Sequence, residues 1–460
     1  MFLRLEEINK AIQSRLVYNV DYTFTSASID SREVKEGDLF FALKGYKTDG
    51  HLFISEAVNK GAKGIVIADN EIANIYKGKI GVILVDDTLK ALHRLASYVR
   101  TKYMATIICI TGSMGKTTTK DYATKIISYC KKVMKSEGNL NSITGLPISL
   151  IKLMPEDEVA VLEMATNKKG EISRLTEISQ PDIGVILNVA EVHIEYFGTI
   201  REVAEEKISL AKKLSNNSTL IFNNDNEYLR NIDVRKKFSY GIEVQSDLMI
   251  RDLEEWDGGF SGYFYEEGKE YCFDFPVRGK WNLYNLLAAV SIARKLEIRW
   301  EIILKEVSNL TVSKRRGEIF ILSNGIKLID ESYNSNPCSL MAIMSDFNRM
   351  GWSGRKIAII GDMLELGEHS MKFHLQVLRE IKLMKINVIV GVGPLMREAI
   401  DYIAKQEGGI SFLSFVTSEE CGEFLKDFLQ PSDAILIKGS RGIQLDKVVE
   451  LLKITYGVVN

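Results

Sequence analysis

Between Ala105 and Tyr129 three physically distinct stretches follow one another, and their order leaves few folds open. Ala105-Thr106-Ile107-Ile108-Cys109-Ile110 is a β-rich apolar run of strand length, the next residues form a glycine-containing loop, and Lys116 to Tyr129 carries a helical pattern. A buried strand that turns through glycine into a helix is the opening unit of a parallel sheet with helical crossovers. The loop itself, Thr111-Gly112-Ser113-Met114-Gly115-Lys116-Thr117-Thr118-Thr119, has the chemistry of a phosphate cradle. Glycines let backbone N–H groups turn toward phosphate oxygens, Lys116 brings an ammonium to the outer phosphates, and Thr117 offers a hydroxyl to Mg2+. The common spacing G-x-x-x-x-G-K-[ST] would need glycine at position 110, which is Ile110, so this loop starts at Gly112 and is shorter than usual. Such a loop specifies a nucleoside triphosphate and leaves kinases, transport ATPases, GTPases and ligases open.

The rest of the chain extends the same architecture. Strand-length runs at Val159 to Leu162, Ile183 to Leu187 and Leu220 to Phe222 alternate with helical patterns, as a parallel sheet requires. Between about Phe238 and Pro276 the pattern changes to short alternating runs around Asp257-Gly258-Gly259 and Glu266-Glu267-Gly268, read as antiparallel hairpins added to the main sheet. A helix resumes at Trp281, with Leu283, Leu286, Leu287 and Val290 at helical spacing. The segment to about Lys102, with strands at Leu39 to Ala42 and Gly64 to Ile67, reads as a smaller α/β domain. From about Ser313, strands at Lys327 to Ile329, Lys356 to Ile360, Val388 to Val390 and Ala434 to Ile437 read as an open nucleotide-binding-type sheet. A length of 460 residues, at roughly 100 to 200 per domain, fits three α/β domains, with expected bounds 1–103, 104–312 and 313–460.

Composition narrows the setting. Apolar residues make up 46% of the chain, enough for several cores and too many for global disorder. The 59 Lys and Arg against 61 Asp and Glu leave a net charge of −2, so charge gives no reason to expect a nucleic-acid or anionic-membrane partner. Met1 to Glu7 lacks the basic start and apolar run of a secretory signal, and no run reaches transmembrane length, so a soluble, cytoplasmic protein without membrane insertion is expected. The five cysteines are scattered, form no C-x-x-C pair and read as buried small apolar residues in a reducing compartment.

Candidate chemistry sits past strand ends, where open α/β sheets place it. Glu163 follows Val159 to Leu162 and, with Thr117, supplies the hard oxygens that Mg2+ prefers. His193 lies shortly after the next strand; spacing leaves it between a site role and a packed or surface imidazole. Lys207, within Val203-Ala204-Glu205-Glu206-Lys207, reads from spacing as a solvated lysine among helix-stabilising glutamates, and Asp225 as a turn cap.

Taken in order, several strings resemble the Mur ligase family, which joins amino acids or peptides to a UDP-muramoyl precursor of the bacterial cell wall. The short loop Gly112 to Thr118 is similar to the family's G-T/S-x-G-K-T-T, and Asn139-Leu140-Asn141, Thr144-Gly145-Leu146-Pro147, Glu163-Met164 and Asn188 to Gly198 follow in the family order. Trp281-Asn282-Leu283-Tyr284-Asn285 resembles its adenine-contacting helix start. Asp330-Glu331-Ser332-Tyr333-Asn334-Ser335-Asn336-Pro337 resembles the D-x-x-Y-N-A-N-P string of the member that adds D-alanyl-D-alanine, and Gly361 to Gly367 and Lys438-Gly439-Ser440-Arg441 look like two more of its strings. Asp30-Ser31-Arg32, Gly37 to Phe40, Lys44-Gly45 and Asp49-Gly50-His51 resemble the part that holds the UDP-sugar. The chain departs from the pattern at Trp281, commonly His, and at Ala165, often Gly.

The resemblance implies that ATP phosphorylates the terminal carboxylate of a UDP-muramoyl tripeptide and that the amine of D-alanyl-D-alanine attacks the acyl phosphate. It implies ATP contacts at Gly112, Ser113, Gly115, Lys116, Thr117, Thr118, Asn282, Arg316, Asp330 and Asn334, and UDP-substrate contacts at Ser31, Arg32, Lys44, Asp49, His51, Asn141 and Thr144. Two Mg2+ ions are implied, one on Thr117 and Glu163, the other near His193 and a carbamylated Lys207, with Lys116, Glu163, His193 and Lys207 as the catalytic set. Partners are then small molecules, a monomer is expected, and the third domain should close on the second. The alternatives are a sibling ligase adding a different amino acid, a more distant folate-type polyglutamate ligase, and a nucleotide-gated binding protein.

Overall fold

Runs of β-branched and aliphatic residues build three mainly parallel sheets, seen in a computed structural model that describes residues 1–18, 21–45, 48–191, 194–256, 258–406 and 411–459. The central sheet has nine strands. The P-loop strand Thr106–Thr111 lies inside it, flanked on one side by Val159–Glu163 and then Val133–Lys135, and on the other by Ile183–Ile186, Thr219–Asn223 and Lys237–Gly241. Every residue of Val159–Glu163 and Ile183–Ile186 is buried, the signature of strands covered by helices on both faces. The chain passes from the P-loop strand to Val133–Lys135 on one side and later crosses from Val159–Glu163 to Ile183–Ile186 on the other, so the crevice beyond its carboxyl end is a topological switch point, where open α/β sheets bind ligands. The first sheet has five strands, from Leu16–Tyr18 to Ala27–Ser28, and the third has seven, with Lys356–Gly361 between Val388–Val392 and Ala434–Lys438.

Helices fix these sheets relative to each other. Thr88–Lys102 lies against Gly145–Ile151 and Glu171–Ser179, so the first and central units share one apolar core that includes Leu92, Leu162 and Leu175. Trp281, at the start of the helix Lys280–Lys295, packs on the core of the third unit. Ser313 Oγ also bonds Asp121 at 2.7 Å across that boundary. No described helix is long and apolar enough to cross a membrane.

Three expectations need correction. The segment from Phe238 is not antiparallel throughout: Lys237–Gly241 runs parallel to Thr219–Asn223, Leu248–Trp256 enters parallel to it, and antiparallel pairing begins with Gly259–Glu266 and Lys269–Phe275. The reason is a pinned loop. Asp247 accepts the N–H and hydroxyl of Ser239, each at 2.7 Å, and Asp225 accepts the N–H groups of Ile242, Glu243 and Val244 at 2.7, 3.1 and 2.7 Å. Asp225 also takes the Tyr284 hydroxyl at 3.0 Å, so it is a cross-link between a loop and a helix, beyond the turn cap its spacing suggested. Of the cysteines only Cys109 and Cys421 are buried; Cys130 and Cys272 are exposed, because the first follows the end of a helix and the second sits in a strand of the antiparallel addition. Asp257, at one expected hairpin turn, lies outside the described residues.

His374, fully buried on Ser370–Lys382, donates from Nδ1 to the Ser370 carbonyl at 2.7 Å and accepts the Met363 N–H on Nε2 at 3.0 Å. Burial holds this imidazole below its ordinary 6.5, so on acidification the unfolded chain takes the proton first, and stability present at pH 7 drains away as pH falls below about 6.5. Thermal unfolding followed from pH 7.5 to 5.5 should show this loss, with a flatter profile for His374→Gln. Asp225→Ala should lower the apparent melting temperature by about 4 to 8 °C, since stranding several N–H groups costs roughly 2 kcal/mol and each kcal/mol moves a domain of this size by about 2 to 4 °C; circular dichroism melting measures it.

Candidate active site

The P-loop is braced before any ligand meets it. Gly115 has φ 84°, and a Cβ there would collide with Asn285 Oδ1, so only glycine fits the turn into Lys116–Ile127. Asn188 clamps the loop: its carbonyl accepts the Ser113 N–H at 3.0 Å, its Oδ1 the Met114 N–H at 2.9 Å, and its Nδ2 donates to the Met114 carbonyl at 3.2 Å. Ser113 Oγ is spent on Ala190, accepting its N–H at 2.9 Å. Asn188 was in a family-like string but not among the expected site residues; its signal was position, just past the carboxyl end of Ile183–Ile186. The helix Lys116–Ile127 presents its free N–H groups and positive dipole end to the same crevice. Lys116 Nζ donates to the Gly112 carbonyl at 2.7 Å, and burial pulls its pKa down to about 8 despite the nearby charge of Glu163.

Glu163 closes its strand, only 1% exposed. Its Oε2 accepts from Thr117 Oγ1 at 3.2 Å and Asn141 Nδ2 at 3.4 Å, while Oε1 lies 2.9 Å from Lys120 Nζ. Asn141, expected at the UDP-substrate, is therefore placed beside Glu163, and its carbonyl accepts the Ala165 N–H at 2.8 Å. From the third unit Arg316 Nη2 donates to Thr117 Oγ1 at 2.9 Å, with its guanidinium 4.0 Å above the Tyr333 ring. Among the described residues no three His, Cys, Asp or Glu converge. A carboxylate beside a hydroxyl at the mouth of a phosphate loop still suits a small hard cation, which needs only one or two protein oxygens when phosphates supply the others.

Lys207 overturns the reading from spacing. It is 2% exposed on the inner face of Ile200–Lys213, and burial, reinforced by the charge of Lys116, drives its pKa down to about 7. Adjacent Glu206 accepts the N–H groups of Gly170 at 2.7 Å and Ile172 at 2.8 Å, which anchors the helix to the loop after Glu163. His193 lies outside the described residues.

Other expected residues divide into exposed and internally committed groups. Thr118 is buried, and Asn282 donates to the Arg278 carbonyl at 2.8 Å and accepts from Asn285 at 3.2 Å. Asp330 is buried at the end of its strand, accepting the Ser332 N–H at 3.0 Å, and burial raises its carboxyl pKa. Asn334 is exposed, its carbonyl held at 2.9 Å by buried Lys438, a lysine whose positioning role no spacing announced. In the first unit Lys44 is an exposed cation, Arg32 is exposed but forked on Asp30 at 2.9 and 2.6 Å, and Ser31 donates to Glu56 at 2.7 Å. Both ring nitrogens of His51 are engaged, Nδ1 with Asp49 at 2.6 Å and Nε2 accepting the Ala68 N–H at 3.0 Å. Thr144 precedes the helix Gly145–Ile151, its hydroxyl 3.2 Å from Ser142 Oγ.

Comparison with known proteins places this geometry. Residues 110–293 match the Mur ligase middle domain, residues 23–100 the Mur ligase family catalytic domain, and residues 315–441 the Mur ligase glutamate ligase domain. The UDP-N-acetylmuramoyl-tripeptide--D-alanyl-D-alanine ligase of Bacillus subtilis (strain 168) is 32% identical over 92% of this chain and 91% of its own. Among solved structures, MurF from Acinetobacter baumannii superposes with a TM-score of 0.88 at 26% identity, covering 98% of this chain and 99% of that one. A MurF ligase from Thermotoga maritima in complex with ADP gives a TM-score of 0.81 at 27% identity over 94% of this chain and 97% of that one. A braced short phosphate loop facing a buried strand-end glutamate, within three matched domains, means that this chain belongs to the Mur ligase family.

Proposed function

We propose that the protein is an ATP-dependent ligase that joins D-alanyl-D-alanine to UDP-N-acetylmuramoyl-tripeptide, completing the pentapeptide precursor of peptidoglycan. The observation that carries this reading is the meeting of Lys116, Thr117 and Glu163 with Arg316, which lies just before the first strand of the third sheet and stands 2.9 Å from Thr117. Relatives with that printed activity align along nearly the whole chain. Residues 1–103 would hold the UDP-sugar through Arg32 and Lys44, with Ser31, Asp49, His51 and Thr144 shaping the surrounding loops, residues 104–312 the ATP, and residues 313–460 would close over both.

A carboxylate is a poor acyl donor because its leaving group would be oxide. Its oxygen attacks the γ-phosphorus of ATP, the bond to the β-phosphate oxygen breaks, and ADP departs. The amine of the dipeptide then attacks the acyl carbon, phosphate leaves, and the amine gives up a proton, so each turnover yields an amide, ADP, phosphate and a proton. Both reactants of the first step are anions, so the chain's task is to hold them together. Lys116 pairs with the outer phosphates, Arg316 adds a second cation across the domain boundary, and Gly112 to Thr118 orient the phosphates through backbone N–H groups. Thr117 and Glu163 would hold one Mg2+, and His193 with carbamylated Lys207 a second; bound there, the ions supply charge neutralisation. Carbamylation needs an uncharged amine to attack carbon dioxide, and a lysine held at about 7 is substantially neutral at physiological pH, unlike one at 10.5.

Phosphate release should require both the UDP-muramoyl tripeptide and D-alanyl-D-alanine, each omitted in turn; release indifferent to both identifies a different NTPase, and none a binding protein. Running the assay with lysine- and diamino-acid-containing tripeptides defines the third residue. Lys207→Ala should cut turnover by about 100-fold or more, the scale of losing a charge-stabilising group. Carbon-13 NMR of enzyme equilibrated with labelled bicarbonate should show a carbamate signal that this variant lacks.

A further inference from the structure

Glu163 is gripped from behind by a lysine that the reaction scheme does not use. Lys120 stands one helical turn beyond Lys116, and its ion pair with Glu163 Oε1 at 2.9 Å joins side chains that are 4% and 2% exposed. The same ammonium donates to the Ser136 carbonyl at 2.8 Å, and Ser136 Oγ accepts the Glu163 N–H at 3.2 Å. One cation therefore ties the P-loop helix to the ends of two neighbouring strands. Oε1 has no aligned hydrogen-bond donor among the described residues, so the charge of Lys120 is what holds it. Oε2 points the other way, toward Thr117 Oγ1 and Asn141 Nδ2.

We propose that Lys120 is a positioning residue that occupies Glu163 Oε1, so that the carboxylate offers a divalent cation one oxygen only and the site discriminates Mg2+ from Ca2+. This rests on Glu163 being a metal ligand. Mg2+ is small, demands near-octahedral geometry and is satisfied by single carboxylate oxygens, whereas Ca2+ gathers six to eight oxygens and readily takes both oxygens of one carboxylate. A lysine sealed against Oε1 blocks the second mode and leaves the first intact. Lys116 cannot do this work, because its Nζ is directed to the Gly112 carbonyl inside the loop.

The test is cation binding to the full chain with ADP, by calorimetry, for wild type, Lys120→Met, Lys120→Arg and Glu163→Gln. Lys120→Met should shift the Ca2+ to Mg2+ affinity ratio by about tenfold toward Ca2+, and Lys120→Arg, which keeps a cation on Oε1, should retain the wild-type ratio. A ratio unchanged within about twofold in Lys120→Met overturns the proposal, since a purely structural ion pair would alter stability and leave selectivity alone. Glu163→Gln binding both cations as wild type does would instead overturn the assignment of Glu163. If circular dichroism shows Lys120→Met unfolded, infrared spectra of wild type decide. The Ca2+-induced carboxylate bands missing from Glu163→Gln should show a wider separation of asymmetric and symmetric stretches, as for one bound oxygen; a narrowed separation means that Ca2+ takes both oxygens despite Lys120 and overturns the proposal.

Discussion

A carboxylate buried at the end of an inner strand is tolerable only when paired, and the pairing of Glu163 with Lys120 is the constraint around which the centre of the molecule is organised. Removing one member of such a pair costs about 3 to 5 kcal/mol, because the other charge is left buried without compensation. The pair also dictates geometry. Lys120 can reach Glu163 only if the P-loop helix sits tight over Val133–Lys135 and Val159–Glu163, and that seating sets where Lys116 and Thr117 emerge. Gly115 and Asn188 then shape the loop between strand and helix, so a phosphate would meet a preformed cradle.

The same logic explains how a chain of net charge −2 can manage polyanionic substrates. Its useful cations are not spread over a basic surface. Lys120, Lys207 and Lys438 are buried and Lys116 is half-buried in its loop, and desolvation lowers the pKa of Lys116 and Lys207 to about 8 and about 7. An ammonium in such surroundings is poorly hydrated and gains more from an anion than one in water does. Lys207 goes further: held near neutrality, it is chemically available as an amine, and the neighbouring Lys116 that depresses its pKa would also favour an anion formed there.

What was legible in the sequence was the part governed by local pattern. The parallel core strands, the short P-loop and the helix after it follow from apolar runs, glycine placement and periodicity, and the expected helix to Tyr129 differs from Lys116–Ile127 only at its fraying end. What was not legible depends on which neighbour a side chain meets. Lys120 and Lys207 look like ordinary charged helix positions, and only tertiary packing seals them. Asp225 carries the same letters whether it caps one turn or gathers three N–H groups from a loop 17 to 19 residues away. The parallel entry of Leu248–Trp256 was hidden for the same reason, since it is fixed by Asp225 and Asp247 and not by alternation within the strand. His51 and Ser31 sit in a family-like string, yet their polar atoms are committed within the first domain, and the Arg32 guanidinium is itself forked on Asp30, which leaves exposed Lys44 as the cation with reach.

Thr117 links these levels. Its hydroxyl donates to Glu163 Oε2 and accepts from Arg316, so one oxygen carries a contact within the central domain and a contact to the third. Arg316 is steadied by the Tyr333 ring, and Tyr333 belongs to the loop whose next residue, Asn334, is fastened by Lys438 at the end of a central strand of the third sheet. A short chain of contacts therefore runs from the carboxyl ends of one sheet to those of another, through side chains that each have a second partner to hold them. Any movement of the third domain toward the second would therefore act through the same side chains that the proposed mechanism assigns to the phosphates. A substitution that loosened Lys438 would reach the P-loop through Asn334, Tyr333 and Arg316, without touching a residue of the central domain.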